Sequence, residues 1–339
     1  MALTTKDFPS LTGEIQSIFD ETKKTKLTES IGLQNYGVMD TTLLTHKHQL
    51  LHGIKGMSRV AEGQNFPKVG TSEGDVIYYT QNHYAGMLEI TKDNRMFWRE
   101  ANGDVLMYAK SMFETAWDQL DTALAEKLIY GWSNSYTDVY NFNRTNNICP
   151  DSQVLFSANH TVKPVNGYSF SNLITNGVTI DPVFSRQAII DTRIRASTFR
   201  DPNGVMRGID LDTLIIPPQL QDQAEQILYS LNYPRLTGTG ANADNFAPNN
   251  INKTTPLGNL KIVTWNRLYN PAVNYSNTMW FLANSTLMKE TMKVLFAQRP
   301  VLNAPEKVYE NESWLYSMDA YFTDGYGFPA YIYGSKGLN

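Results

Sequence analysis

Two histidines at helical spacing are the first residues in this chain whose types could do chemistry. His48 and His52 lie four residues apart, a spacing at which two imidazoles on one helix face can share a metal ion. No glutamate follows His48 as a metallohydrolase motif requires, and carboxylates are few nearby. Solvated or interfacial histidines are therefore favoured, and we predict no metal ligand here.

Ser157 and His160 make a second pair, a hydroxyl and an imidazole that could act as nucleophile and base. The sequence around them lacks the flanking glycines of a nucleophile elbow, and residues three apart in a loop rarely form a triad. Cys149, the single cysteine, has no adjacent base. We predict neither a catalytic residue nor a cofactor site. The alternative is a hydrolase that uses His160, or a metal at His48 and His52.

The composition narrows the class of protein. With 339 residues, of which 42% are hydrophobic, the chain is long enough for two globular domains. Its 29 basic residues against 33 acidic ones, without a basic cluster, argue against wrapping nucleic acid. One cysteine excludes an internal disulfide and favours synthesis in a reducing cytosol. We see neither a signal peptide nor a run of about 18 apolar residues, so we expect no membrane association.

The element that organises the chain is a long predicted helix from Asn102 to Gly131. Its apolar residues recur at spacings of three to five: Leu106, Ala109, Phe113, Ala116, Leu120, Ala123 and Leu128. Gly131 suits the C-terminal end, where a left-handed residue is usually needed. At ~1.5 Å per residue the helix would be roughly 40 Å long, more than a compact domain needs for its own core. We interpret it as a spine against which other elements are laid.

The first 50 residues predict an arm and not a domain. Apolar residues mark a short amphipathic helix within a polar segment: Phe8, Leu11, Ile15, Ile18 and Phe19. Such a segment has too little apolar surface to form its own core. It is either a flexible arm or a segment that folds against a partner.

A glycine-punctuated segment follows the arm and predicts a long β-hairpin. The strand-like runs from Asp75 to Thr80 and from Tyr84 to Thr91 are separated by the turn-prone pair Gln81-Asn82. Two strands alone bury too little surface to be stable. The hairpin must therefore lie on the rest of the chain or on a neighbouring copy.

Downstream of the spine, the elements predict a compact α/β unit from Val183 to Arg299. In order they are a helix from Ser185 to Phe199 with Ala188, Ile189, Thr192 and Ala196 on its apolar face, a strand from Leu211 to Ile216, a helix from Gln219 to Leu231, strands from Leu260 to Trp265 and from Asn277 to Ala283, and a helix from Leu287 to Phe296. Loops separate these elements from one another.

The last segment returns to strands. Apolar and polar residues alternate with a period of two as far as Ala320, which predicts a half-buried strand. A turn from Asp324 to Gly327 and a closing strand from Pro329 to Tyr333 follow. We expect this strand pair to lie beside the spine helix.

Particular stretches resemble the major capsid proteins of tailed double-stranded DNA bacteriophages. The stretch from Val154 to His160, followed by Ser171-Asn172-Leu173, is similar to the LFS…H…NL pattern of the Mu-like major head subunit branch. The stretch from Asp201 to Arg207 before Leu214 to Pro218 is similar to the next signature, as is the helix that follows. The resemblance covers roughly residues 91–282, whereas the arm and the hairpin match only in their order.

The resemblance implies an α+β chain with the Hong Kong 97-like phage capsid fold. Its parts would be an N-terminal arm (1–50), an extended loop formed by the long hairpin (51–97), a peripheral domain (98–182) with the spine helix (102–131), an axial domain (183–299), and further peripheral-domain strands (300–339).

The same resemblance implies a structural protein and not an enzyme. It would be the major head protein of the virion, which self-assembles into pentamers and hexamers of an icosahedral shell and encloses the DNA without sequence-specific binding. Assembly in the bacterial host cytoplasm is expected, with a separate scaffolding protein, decoration proteins and a portal protein as further partners. A decoration or vertex protein of the virion is the alternative.

We expect inter-subunit contacts from the arm and the extended loop, because a neighbouring subunit would supply the surface that these segments lack. The candidate contact residues are Phe8, Ile15, Phe19, Phe66, Lys68, Tyr78 and Tyr84. Some branches of the family cross-link a loop lysine to an asparagine of a neighbouring subunit. No acceptor is identifiable in this sequence, so that bond is not predicted.

Overall fold

The computed structural model describes residues 8–51, 60, 65, 73–97, 104–161, 169–201, 205–229 and 259–338. Its helices are α1 (Phe8–Glu29), α2 (Ile31–Asn35), α3 (Lys92–Met96), α4 (Asp104–Ile129), α5 (Arg186–Ser197), α6 (Gln221–Tyr229) and α7 (Met288–Thr291). Its strands are β1 (Gly37–Asp40), β2 (Thr45–Leu51), β3 (Glu73–Thr80), β4 (Asn82–Ile90), β5 (Tyr136–Thr137), β6 (Asn143–Arg144), β7 (His160–Thr161), β8 (Ser169–Phe170), β9 (Thr213–Ile216), β10 (Lys261–Thr264), β11 (Trp280–Ala283), β12 (Met292–Leu302), β13 (Glu306–Lys307), β14 (Trp314–Tyr326) and β15 (Ile332–Ser335). The α+β class is as predicted.

The predicted spine is α4, a helix of 26 residues. Ala109 and Phe113 on its apolar face belong to a cluster with α1 and β14, and Leu120 belongs to a second cluster that reaches β11 and β12. Gly131 follows the helix without a positive φ, so the left-handed cap predicted there is wrong. Glycine is required here because a side chain would not fit: a Cβ at this position would lie 2.6 Å from the ring of Phe156.

A five-stranded sheet lies beside the spine. β1 runs parallel to β12, β12 pairs antiparallel with β14, and β14 also pairs with β13 and β4. Alternation along β14 buries Tyr316 and Met318 in the same cluster as Phe113 of α4. The predicted period of two is therefore confirmed. The strand continues to Tyr326, however, through the position where a turn was predicted.

A four-stranded sheet with the order β10-β9-β11-β15 forms the second unit. β9 and β10 are parallel, whereas β11 is antiparallel to both neighbours. Predicted apolar positions of α5, α6 and the turn before α6 share one cluster with this sheet: Ala188, Ile189, Ala196, Leu220, Ala224, Ile227 and Leu228. The prediction of these helices is confirmed. The closing strand β15 pairs with β11 in this sheet and not with β14.

The hairpin predicted between Asp75–Thr80 and Tyr84–Thr91 is wrong in its pairing. β3 pairs with β2, and β4 pairs with β14. Gln81 alone separates β3 from β4, which is shorter than the usual two-residue hairpin loop, and its N–H donates to Leu44 O. β3 and β4 therefore do not form a hairpin. The chain continues directly from β3, which pairs with β2, into β4, which pairs with β14. We call the antiparallel pair of β2 and β3 the ribbon.

The helix predicted from Leu287 to Phe296 is mostly strand. Only α7 is helical, and β12 begins at Met292. Val294 and Phe296 are buried in a strand that has β1 on one side and β14 on the other. A strand covered on both faces shows no period of two, so its apolar run cannot be told from a buried helix by pattern alone.

The N-terminal segment packs on its own chain. α1 has 22 residues and lies along α4, where Ile15 and Phe19 are buried. The rings of Phe19 and Phe113 meet edge to face with centroids 5.2 Å apart. Near the other end of α1, Lys26 forms an ion pair of 2.9 Å with Asp118. The segment is thus not a free arm here, because the helix is longer than predicted and its apolar side is covered by the spine.

Candidate functional site

His160 lies in a buried hydrogen-bond cluster. Its side chain is 0% exposed, with Nδ1 2.7 Å from Asp151 Oδ2 and Nε2 3.1 Å from Leu155 O and 3.2 Å from Asn172 Oδ1. A catalytic base must come within hydrogen-bond reach of a substrate proton. This ring is enclosed and both nitrogens already face oxygens of the chain, so the geometry does not support His160 as a base.

Asn172 completes the cluster. Its Nδ2 donates to Leu155 O at 2.6 Å and to Pro329 O at 3.1 Å, and its Oδ1 accepts from the Ser157 amide at 3.0 Å. The Ser157 hydroxyl accepts from a nearby backbone amide and makes no nucleophile–base pair with His160 in the hydrogen bonds of the described residues. The residues of the LFS…H…NL pattern therefore form a clamp that holds the loop 151–160 to the segment after β8 and to the turn before β15.

His48 lies on β2 of the ribbon and not on a helix, so its spacing to His52 has no metal-binding meaning there. His52 itself lies outside the described residues. The Nε2 atom of His48 is 2.8 Å from Lys293 Nζ on β12. Burial, with the charge of Lys293, lowers the pKa of His48 to about 4, so the ring is neutral and accepts this hydrogen bond near pH 7. Within the described part of the chain, no group of three or more His, Cys, Asp or Glu residues could hold a metal ion.

Cys149 has no reactive environment. It is 2% exposed and belongs to the cluster beneath the spine. Burial, with the charge of Asp151, raises the pKa of the thiol well above its ordinary value. The side chain is therefore a protonated thiol and a weak nucleophile.

The candidate contact residues fall into four groups. Ile15 and Phe19 are buried against the spine of their own chain. Their contact with a neighbouring subunit stays a prediction. Tyr84 is half-buried within the chain, where its ring stacks on Phe322 with centroids 4.3 Å apart. Tyr78 on the ribbon is 64% exposed. The side chain of Phe8, and Phe66 and Lys68, lie outside the described residues.

The ribbon carries exposed apolar side chains at its base. Leu43 and Leu44 precede β2 and are 56% and 70% exposed. Tyr78 on β3 is 64% exposed and lies opposite Lys47, three residues after Leu44, in the antiparallel register. Single exposed apolar residues are normal, but a group of them indicates an interaction surface. The sequence signal that could have identified the two leucines is their adjacency in an otherwise polar stretch.

A buried ion cluster lies next to the base of the ribbon. Asp324 on β14 pairs with Lys127 at 3.2 Å and with Arg144 at 3.3 Å, and Arg144 Nε donates to Asp138 Oδ2 at 2.7 Å. A cavity of about 260 Å³ is lined by three members of the cluster, Lys127, Arg144 and Asp324, and by Tyr79 of the ribbon. Two cations face two carboxylates, so the cluster is balanced in charge and does not form an anion site. The two pairings of Asp324 join distant parts of the chain and had no local sequence signal.

None of the described helices combines the length and the apolarity that a membrane span requires.

No protein-family model and no curated protein matches this sequence. Solved structures match its fold. The chain is similar to the capsid of an empty GTA particle, with a TM-score of 0.51 and 10% identity over 89% of this chain and 87% of that chain. It is also similar to the procapsid of bacteriophage JBD30 (TM-score 0.47, 14% identity, 98% and 76% covered) and to the capsid of Myoviridae phage XM1 (TM-score 0.47, 10% identity, 90% and 91% covered). The fold is Hong Kong 97-like, as predicted, and the Mu-like branch is not distinguished from others.

Proposed function

We propose that this chain is the major capsid protein of a tailed double-stranded DNA phage. It is a structural protein that assembles with copies of itself into pentamers and hexamers of an icosahedral shell. The observation that carries the proposal is the similarity of its fold to the GTA capsid over 89% of the chain. A fold alone does not determine a function, which depends on particular surfaces and sites. The exposed surface of the chain is therefore the second observation that supports this proposal.

The surface around the ribbon supports assembly with other copies. Leu44 and Tyr78 are 70% and 64% exposed, and Met87 on β4, the next strand along the chain, is 63% exposed. A stable contact between subunits buries such side chains, with about 2,000–5,000 Å² covered in obligate interfaces. A second copy of the chain would cover this surface in the shell.

The proposal includes the partners and the location that the sequence suggested. The shell would belong to the virion, form in the bacterial host cytoplasm with a separate scaffolding protein, and carry decoration and portal proteins. A chain with a net charge of −4 suits a container that holds DNA without sequence-specific binding.

Two alternative functions predict different properties of the purified chain. Another virion component, such as a decoration or vertex protein, would form a single ring or trimer. A hydrolase has weaker support, because His160 is enclosed and His48 is bonded to Lys293.

Sedimentation and electron microscopy of the purified full-length chain test the proposal. We expect pentamers, hexamers or closed shells whose amount rises with protein concentration. A chain that stays monomeric at every concentration and salt would contradict it, and a single ring or trimer that never closes would favour the decoration or vertex protein.

A further inference from the structure

One lysine of the spine helix is buried, which is rare for a lysine. Lys127 lies near the C-terminal end of α4 and is 5% exposed. Its Nζ atom contacts two side chains, Asn147 Oδ1 at 3.2 Å and Asp324 Oδ2 at 3.2 Å. Both partners are buried as well. An amine, a carboxamide and a carboxylate therefore meet in one enclosed place.

The amide of Asn147 has a fixed orientation. Its Nδ2 donates to Tyr130 O and to Ser133 O, both at 2.9 Å. These two carbonyl acceptors identify the nitrogen end of the amide, so the oxygen end must face Lys127. The carbonyl carbon, which is bonded to that oxygen, is thereby held beside the amine.

Burial favours the neutral form of the amine, although two aromatic rings face it. The rings of Tyr136 and Tyr326 lie 5.8 and 5.2 Å from Nζ. Burial lowers the pKa of Lys127. Burial alone would raise the pKa of Asp324, but Lys127 and Arg144 outweigh it and hold that pKa below its ordinary value. Asp324 is thus an ionised carboxylate in contact with the ammonium, placed to accept its proton.

We propose that Lys127 and Asn147 of the same chain form an isopeptide bond in the folded protein. The Nζ atom, after giving a proton to Asp324, attacks Cγ of Asn147. The bond from Cγ to Nδ2 breaks as the bond from Nζ to Cγ forms. Nδ2 leaves as ammonia and takes up protons from the amine and from Asp324, so an ammonium ion is released, atoms and charge balance, and no oxidant is needed.

The cavity beside the ribbon gives the released ammonia a way out. Lys127 and Asp324 both line this space of about 260 Å³, together with Arg144. Arg144 pairs with Asp138 at 2.7 Å and also with Asp324. Its positive charge therefore still balances the negative charge of Asp324 after the lysine has lost its own charge. The bond joins the end of the spine to the loop that holds β5 and β6. It lies within one chain and is independent of assembly and of the proposed function.

Peptide mapping of the purified wild-type chain tests the proposal. We expect the intact mass to be about 17 Da below the sequence mass, the mass of ammonia, and trypsin to leave the bond after Lys127 uncut. Tandem mass spectrometry should recover a branched peptide that joins Lys127 to Asn147. The same mass loss arises from a succinimide at an Asn-Gly pair such as Asn176-Gly177, so the branched peptide and not the intact mass is decisive.

Two variants supply the controls. Lys127→Arg keeps a positive charge but has no reactive amine, so the branched peptide should be lost. Lys26→Arg alters a partly exposed lysine that pairs with Asp118, and it should keep the branched peptide. Recovery of Lys127 and Asn147 from folded wild-type protein in separate, unmodified peptides would overturn the proposal, whether or not either variant folds.

Discussion

The hydroxyl of Tyr79 on the ribbon donates a 3.0 Å hydrogen bond to the backbone carbonyl of Tyr326 at the end of β14. The Tyr79 side chain is therefore tied to the sheet beside the spine. Its ring passes so close to Gly325 that a Cβ there would lie 2.3 Å from Cε1. Tyr79 is 3% exposed, so its side chain is enclosed by the rest of the chain. The base of the ribbon is thus fixed to the body of the same chain.

Gly325→Ala should destabilise the contact between Tyr79 of the ribbon and the end of β14. The added methyl group overlaps the Tyr79 ring, and overpacking of a buried contact costs about 1–3 kcal/mol of unfolding free energy. Gly86→Ala on β4 is the matched control, because a Cβ there meets nothing within 4 Å. Urea unfolding of both variants measures the difference, and equal stability of the two would contradict the close approach.

Ile15→Ala should destabilise the folded chain by about 2–5 kcal/mol, because it empties a fully buried site between α1 and α4. Ile194→Ala on α5 is the control, since that side chain is 59% exposed and surface changes stay within about 0.5 kcal/mol. Chemical denaturation of the unassembled chain reports both. If Ile15→Ala left this stability unchanged and impaired only assembly, the result would support the contact with a neighbour that the sequence predicts.

Asn172→Ala should destabilise the clamp around His160. The variant leaves the Ser157 amide and the Pro329 carbonyl without this partner, and each unsatisfied buried group costs about 1–3 kcal/mol. Asn159→Ala is the control, because Asn159 is an exposed residue of the same loop. Thermal unfolding should separate the two variants by several degrees. Similar midpoints would show that the cluster is not a stabilising element.

The helices were predictable because their pattern is local. Ala188, Ile189, Thr192 and Ala196 repeat at helical spacing, and all four are buried on α5. The spine was found in the same way. A helix satisfies its backbone hydrogen bonds within one segment, so its buried side can be read from that segment alone.

Strand partners were not predictable, because pairing is decided by distant residues. The sequence predicts a turn at Gln81 and Asn82. In the structure Gln81 is buried, and Asn82 pairs with Phe322 in the sheet. The run after Met292 read as a helix because both faces of β12 are covered. The same limit applies to the candidate site. The sequence shows only that His160 is a residue type that can act as a base, whereas its part in the buried clamp becomes evident from its hydrogen-bond partners in the structure.

The stability of the chain should depend on pH through Glu126. Burial, with the charges of Asp138 and Asp324, raises its pKa to about 7, whereas the ordinary value is 4.5. A raised carboxyl pKa means that the folded state holds the proton more tightly, so this contribution to stability is full below about pH 4.5 and is lost as the pH rises to about 7. Glu126→Gln removes this loss but keeps an oxygen that accepts from the Val139 amide.

Unfolding free energies of Glu126→Gln and wild type should therefore diverge between pH 4.5 and 7 in favour of the variant, and stay parallel above that range. Glu14→Gln, at an exposed position of α1, should follow the wild-type curve throughout. A constant difference between Glu126→Gln and wild type across the range would rule out the buried carboxyl as the cause.

Tyr78→Ser should weaken assembly without weakening the fold. The side chain is 64% exposed on the ribbon, so its removal leaves the core of the chain intact, while a neighbouring copy would lose an aromatic contact. Tyr269→Ser is the matched control, because Tyr269 is 48% exposed in the turn after β10 and not on the ribbon. Sedimentation should show a higher concentration threshold for particles of Tyr78→Ser than of Tyr269→Ser. If Tyr78→Ser assembled like wild type, the ribbon base would not be a contact surface between subunits.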